Sequence, residues 1–185
     1  MKITGKKSLL WWVRYPFGIY AVGFSIASIW TLGLMLIYFF THQTNRFISL
    51  TSGQGEGNHL SSGIIRFHYP FTQMTVNTEN SPEGLLLAFL GILSINFTLI
   101  TALKIITELS QDNFFTAKAV QNFKILGFGL LSIGIIHVLI DLLVSPQQFN
   151  PAQPFVFMVT GFILILMKEI FTKGKAIQDE NDLVI

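Results

Sequence analysis

Residues 17–40, FGIYAVGFSIASIWTLGLMLIYFF, form an uninterrupted run of 24 uncharged and mostly apolar residues. A helix of that length rises about 36 Å at ~1.5 Å per residue, and the hydrocarbon core of a bilayer is ~30 Å thick. Three further runs of similar character occupy about residues 85–107, 124–144 and 152–171. The sequence therefore predicts an all-α fold, an integral membrane four-helix bundle that forms one domain over residues 1–185.

The basic side chains mark alternate ends of these runs. Arg46 and Arg66 lie in the first connection, whereas ten of the twelve cationic residues fall in three clusters at the N-terminus, the second connection and the C-terminus: Lys2, Lys6, Lys7, Arg14, Lys104, Lys118, Lys124, Lys168, Lys173 and Lys175. Cytoplasmic loops of membrane proteins carry an excess of Lys and Arg. We therefore expect both termini and the second connection to be cytoplasmic, and an outer loop at residues 42–82.

Composition supports a membrane protein independently. A chain of 185 residues with 51% hydrophobic and 12% charged residues holds too few charges to cover a soluble globule. The basic residues form no stripe that would follow a duplex, so we expect contacts with the lipid bilayer and no direct nucleic-acid binding. The chain has no cysteine, which excludes disulfides, thiolate catalysis and iron–sulfur ligation.

The outer loop changes character halfway along its length. SGQGEGNHLSSG at residues 52–63 is rich in Gly and Ser, whereas IIRFHYPFTQMTVNT at residues 64–78 is rich in β-branched and aromatic residues. We expect a short β-hairpin in the second half, which Pro70 would interrupt or confine to an edge. A loop of this length is either a sensing or docking patch or a cover over the helices.

Capping residues accompany three of the helices. Ser81 and Pro82 suit the cap and first position of the second helix, and Thr116 or Asp112 suits the cap of the third. Pro16 suits the first turn of the first helix, after an interfacial lead-in. Three small residues of the second helix would permit close approach of a neighbouring helix: Ala88, Gly91 and Ser94.

Three polar side chains lie inside the predicted spans: Asn96, His137 and Asp141. His137 and Asp141 are four residues apart and share one helix face. Ionisable groups inside a membrane are functional candidates, because burying them without a partner costs several kcal/mol. The sequence favours a structural or interfacial His–Asp pair and an interhelical hydrogen bond from Asn96, with a proton relay or ligand contact as the alternative.

The sequence lacks the patterns of an enzyme. One His–Asp pair has too few ligands for zinc, and His137 is the only histidine inside a span, so haem has no second axial histidine. No nucleophile elbow, phosphate-binding loop or HExxH helix occurs. We therefore expect a non-enzymatic protein without metal or cofactor. The alternative is a small transport or channel subunit that uses the three polar residues within a homo-oligomer.

The most specific pattern lies at the C-terminus, MKEIFTKGKAIQDENDLVI at residues 167–185. It resembles the tail E-I-F-x-x-G-x-x-L-x-x-E-x-D-L-T-V of the bacterial domain-of-unknown-function 2975 family, small four-helix membrane proteins. Phe115 and Thr116 match that family's loop, whereas Phe114, Lys118 and Ala119 depart from it. The matching tail residues are Glu169, Ile170, Phe171, Gly174, Ile177, Glu180, Asp182 and Leu183.

The resemblance implies a protein of the bacterial inner membrane with no assigned activity. Members are often encoded beside a small helix-turn-helix transcription factor, which implies a regulator that holds this partner at the membrane. The acidic tail would then mask a basic DNA-reading face. Candidate partner-binding residues are Phe115, Thr116, Lys118, Glu169, Gly174, Asp179, Glu180, Asp182 and Leu183.

An alternative interpretation of the tail needs no partner. We expect Gly174 to mark a break after the last span, which leaves residues 172–185 as a short cytoplasmic tail. Such a tail could fold back and pair its acidic residues with Lys118 and Lys124.

Overall fold

A computed structural model describes residues 9–51, 63–70, 72–110, 116–144 and 151–182, with side chains described as far as residue 180. In chain order, the elements are α1 (Leu9–Thr41), β1 (Ile48–Thr51), β2 (Ile64–His68), β3 (Thr75–Glu79), α2 (Pro82–Leu109), α3 (Ala117–Val144) and α4 (Ala152–Asp182). All four helices are long and apolar enough to cross a membrane. The predicted fold of four transmembrane helices is confirmed.

The helices pack in chain order. α1 packs on α2, α2 on α3 and α3 on α4, and α1 makes no comparable contact with α3 or α4 in the described part of the chain. Neighbouring helices run antiparallel: Gly134 faces Pro154 near the start of α4, whereas Gly127 faces Gly161 further along it. The start of α1, the end of α2, the start of α3 and the end of α4 therefore share one end, here named the basic end.

A small antiparallel sheet covers the opposite end, here named the sheet end. Its strand order is β1-β2-β3, with Ile48 paired to Phe67 and Phe67 paired to Val76. Ile48, Ile65 and Phe67 are buried against α1 and α2, where they meet Leu34, Met35, Tyr38 and Leu85. Burial of these side chains stabilises the sheet on the helices.

The predicted hairpin is confirmed as β2 and β3, and Pro70 lies in the connection between them. Sequence analysis missed β1, because four residues hold too little alternation to distinguish a strand from a loop. The rest of the Gly- and Ser-rich segment, residues 52–62, lies outside the described residues.

Two of the predicted helix N-caps are confirmed. Ser81 Oγ accepts a hydrogen bond from the Gly84 backbone N–H at 2.9 Å, and Pro82 opens α2. Thr116 Oγ1 accepts one from the Ala119 N–H at 3.0 Å and caps α3. Each cap satisfies a backbone donor that the first turn of the helix leaves free. The other predicted cap, Asp112, lies outside the described residues.

Two expected helix boundaries are wrong. Pro16 lies inside α1, which begins at Leu9, so the predicted lead-in is part of the helix. Pro16 removes one backbone N–H donor from the interior of this helix. Gly174 also lies inside a continuous α4. A helical glycine costs only about 1 kcal/mol relative to alanine, and neighbours such as Lys173, Lys175 and Ala176 favour helix.

Candidate functional site

Glycines bring the backbones of α3 and α4 into direct contact. A Cβ atom on Gly161 would lie 2.7 Å from the carbonyl oxygen of Gly127, and one on Gly134 would lie 3.0 Å from that of Pro154. These separations leave no room for a side chain. Gly127 and Gly134 lie on the buried face of α3. That face continues towards the sheet end to His137 and Asp141, so close helix packing encloses both groups.

His137 and Asp141 are each only 4% exposed. His137 Nε2 and Asp141 Oδ1 are 3.9 Å apart, which is too far for a hydrogen bond. Among the described residues, His137 Nδ1 and Asp141 Oδ1 have no hydrogen-bond partner. The ring of Phe157 on α4 lies 6.4 Å from the His137 ring, centroid to centroid. The pair is therefore enclosed largely by apolar groups.

The chemistry open to this pair is limited. A buried polar atom without a partner costs about 1–3 kcal/mol, so the pair is suited to take up a proton or to contact a small polar ligand. It is not suited to hold a metal alone, and the described residues contain no group of three or more metal-ligating side chains.

Asn96 stands apart from the pair. Its Nδ2 donates to the Ile92 carbonyl of its own helix at 3.1 Å, and the predicted interhelical hydrogen bond is not seen among the described residues. The adjacent Phe97 contacts Gly129 on α3, which is eight residues, or about 12 Å along the helix, from His137. Within one copy of the chain the three polar residues therefore do not come together, and the predicted transport site within a homo-oligomer stays a prediction.

Sequence analysis missed the polar contacts that join the sheet to α1. Trp30 Nε1 donates to the His68 carbonyl at 3.2 Å, and the hydroxyl groups of Thr31 and Tyr69 are hydrogen bonded at 2.8 Å. Tyr38 donates to Asn80 Oδ1 at 3.0 Å. Tryptophan and tyrosine are enriched at membrane interfaces. The positions of these residues were therefore the sequence signal that could have predicted the contacts.

The basic end holds the other candidate residues. Lys118 and Lys124 are exposed on α3, while Thr116 is used as the helix cap. Glu169 is exposed on α4, where its carboxylate accepts a hydrogen bond from the ammonium of Lys168. Phe115 lies outside the described residues, so the structure leaves its predicted role untested.

The last helical residues of α4, 173–182, are here named the α4 extension, and residues 176–180 of this segment are exposed. Ile177 is 60% exposed, and Asp179 and Glu180 are exposed as well. Among the described side chains, neither acid pairs with Lys118 or Lys124, so the fold-back alternative is not observed for these two acids. Asp182 lies in the helix without a described side chain, and Leu183 lies outside the described residues.

Comparison with known proteins agrees with the resemblance seen in the tail. Residues 11–185 match the sequence model of a family described as "Protein of unknown function (DUF2975)". No curated protein and no solved structure matches the chain. The match covers nearly the whole chain, including all four apolar helices. The protein is thus a multi-pass membrane protein that belongs to the DUF2975 family.

Proposed function

We propose that the protein is a non-enzymatic interaction module of the bacterial inner membrane that holds a small helix-turn-helix DNA-binding protein at its basic end. The observation that carries this proposal is the α4 extension, an exposed helix with a large apolar side chain and two acids. The proposal places the extension in the cytoplasm, because seven of the nine cationic residues in the described part of the chain lie in the segments at this end.

The length of α4 gives the extension its reach. The rings of Phe123 on α3 and Phe171 on α4 are 4.9 Å apart, centroid to centroid. Beyond that contact α4 continues to Asp182, a rise of roughly 16 Å at ~1.5 Å per residue. Residues 176–180 are all exposed. A soluble protein could therefore contact this part of the helix without displacing α3.

The side chains of the extension indicate the chemistry of the partner. Ile177 offers an apolar contact, and the carboxylates of Asp179 and Glu180 are unpaired in the described part of the chain. A complementary surface would be basic with an apolar centre. Proteins that bind DNA present Lys and Arg to its phosphates, so the extension and DNA would compete for one face. The gene neighbourhood implied by the family supports this choice of partner.

Affinity purification from native membranes tests the proposal. The intact chain should recover a helix-turn-helix protein, and a chain truncated after Lys175 should recover none. Asp179→Asn with Glu180→Gln should weaken recovery about tenfold, because each of the two lost charge pairs contributes about 0.7 kcal/mol. Glu79→Gln, which removes an exposed carboxylate at the sheet end, is the matched control and should leave recovery unchanged. Equal recovery by the intact and truncated chains would contradict the proposal.

A small transport or channel subunit is the second candidate function. The unpartnered atoms of His137 and Asp141 favour it, because a permeating proton or small polar ligand would satisfy them. Asn96 is not part of this candidate transport site. Replacing the pair by Phe and Leu should abolish transport and preserve partner recovery, whereas the truncation after Lys175 should do the reverse. Retained proton or solute flux in the Phe/Leu variant would exclude this candidate.

A further inference from the structure

Arg14 lies on α1 at the basic end, three residues before the long apolar run. Its guanidinium donates to the Tyr15 hydroxyl at 2.9 Å, and its central carbon lies 4.8 Å from the Tyr15 ring and 5.6 Å from the Trp11 ring. No carboxylate pairs with Arg14 within the described part of the chain. A guanidinium has five N–H donors, so the aromatic rings orient Arg14 while most of its donors stay free for an anion.

A groove of about 690 Å³ begins at Arg14 and Tyr15 and follows α1 as far as Ile26. That distance is twelve residues, or about 18 Å along the helix. Gly23 leaves the groove open, because a Cβ atom there would meet nothing within 4 Å. Leu103 and Thr107 of α2 form the other wall near Arg14. The groove therefore has a cationic entrance and a long apolar interior.

We propose that this groove binds one anionic glycerophospholipid, with the lipid phosphate on Arg14 and an acyl chain along the glycine-lined face of α1. A planar guanidinium matches phosphate through two parallel hydrogen bonds. Arg14 lies just before the apolar run, at the depth of the lipid headgroups, and the groove descends from it into the hydrocarbon. The charge, the depth and the elongated shape all match an acidic phospholipid.

A neighbouring groove shows why Arg14 is the stronger site. Between α2 and α3 a groove of about 530 Å³ is lined by Lys104 and Lys118, but also by Glu108. The carboxylate of Glu108 opposes a bound anion by like-charge repulsion. The described lining of the Arg14 groove has no acidic residue, so an anionic headgroup meets positive charge alone.

Native mass spectrometry of the purified full chain tests the lipid site. The first molecule of phosphatidylglycerol should bind about fivefold more tightly than phosphatidylcholine with the same acyl chains, through the charge of Arg14 together with its planar fork. Arg14→Gln should remove this preference. Lys124→Gln, which neutralises an exposed lysine outside the groove, should retain it. Gly23→Leu should weaken binding of both lipids by filling the groove.

A further variant separates the shape of the arginine from its charge. Arg14→Lys keeps the charge without the planar fork, and the preference should fall to about twofold; this variant also carries the test if Arg14→Gln does not fold. Equal affinity of the unmodified chain for the two lipids would overturn the proposal. A preference that survives Arg14→Gln would overturn the assignment to Arg14, and an Arg14→Lys variant equal to the unmodified chain would overturn the bidentate contact with the phosphate.

Discussion

The first and the last pair of neighbouring helices, α1–α2 and α3–α4, are held together in different ways. Between α1 and α2 the contact is made by apolar side chains such as Leu34, Met35 and Leu85, and a sheet covers the pair. Between α3 and α4 the backbones touch at Gly127 and Gly161. Polar groups of the first pair are bonded, as in the hydrogen bonds of Thr31 with Tyr69 and of Tyr38 with Asn80, whereas among the described residues the ionisable groups beside the glycine contact have unpartnered atoms.

This difference separates stability from function within one small protein. Polar side chains of α1 are hydrogen bonded to the segment that carries the sheet, so the α1–α2 pair and its sheet act as a scaffold at the sheet end. The α3–α4 pair combines a tight contact with two unsatisfied polar groups at the sheet end and with the α4 extension at the basic end. A change in the α3–α4 contact would therefore bear on both candidate functions.

The largest expected effect lies in the scaffold. Phe67→Ala removes a fully buried ring between the sheet and α1 and should lower the free energy of unfolding by about 3–5 kcal/mol. Denaturant titration in detergent micelles, followed by the fluorescence of Trp30 beside the sheet, measures it. Phe40→Ala is the control, because that ring is 78% exposed. Equal effects of the two changes would mean that the sheet adds no stability to the α1–α2 pair.

The second prediction compares two glycines in different helices. Gly161→Ala should destabilise by about 1–3 kcal/mol, because its Cβ would overlap the Gly127 carbonyl. Gly91→Ala meets nothing within 4 Å and should stabilise α2 by up to about 1 kcal/mol through helix propensity. Unfolding titrations of the two variants under one set of conditions measure both changes in the free energy of unfolding. A stabilising Gly161→Ala would refute direct backbone contact between α3 and α4.

The third prediction concerns the polar pair. Replacing His137 by Phe and Asp141 by Leu together should stabilise the protein by about 1 kcal/mol, since well-packed apolar groups often replace a buried pair without loss. Asp141→Leu alone should stabilise less, because His137 Nδ1 stays unpartnered. A double-mutant cycle on unfolding free energies measures the coupling. Destabilisation of the double variant by several kcal/mol would show that the pair has a partner in the folded protein.

The smallest predicted effect concerns two helix N-caps, Ser81 of α2 and Thr116 of α3. Ser81→Ala and Thr116→Ala should each cost about 1 kcal/mol, because each removes one side-chain acceptor at a helix start. Ser81→Gly should cost only a few tenths of a kcal/mol. Thermal unfolding in micelles provides the comparison. A cap variant with no measurable cost would show that water or headgroups replace the lost acceptor at that helix end.

Much of the fold could be predicted from the sequence, because the length of each apolar run and the basic residues beside it can be read from one short stretch of the chain. The caps at Ser81 and Thr116 are local signals for the same reason. The role of each glycine is not local: Gly91 was expected to permit close helix approach and meets open space, whereas Gly161 touches a backbone. Which glycine is needed depends on how each helix is rotated about its axis, and a single sequence does not encode that rotation in any short pattern.

The candidate site was only partly predictable. The four-residue spacing of His137 and Asp141 placed them on one face, but their enclosure depends on the approach of α4. Gly174 was expected to end the last helix, yet its neighbours favour continuation and α4 extends to Asp182. Arg14 was predicted, with the other basic residues, to be a topology signal and a contact to anionic lipid, but the groove beside it was not predicted, because it forms between two helices that are distant in sequence.

Site-specific photo-crosslinking in native membranes tests the proposed docking role of the α4 extension most directly. A photoreactive residue at Ile177 should form an adduct with a helix-turn-helix protein, identified by mass spectrometry. The same residue at Ile163, two heptads earlier on nearly the same helix face and 52% exposed, should crosslink to lipid alone. An Ile177 position that yields no protein adduct, or the same adducts as Ile163, would contradict the account.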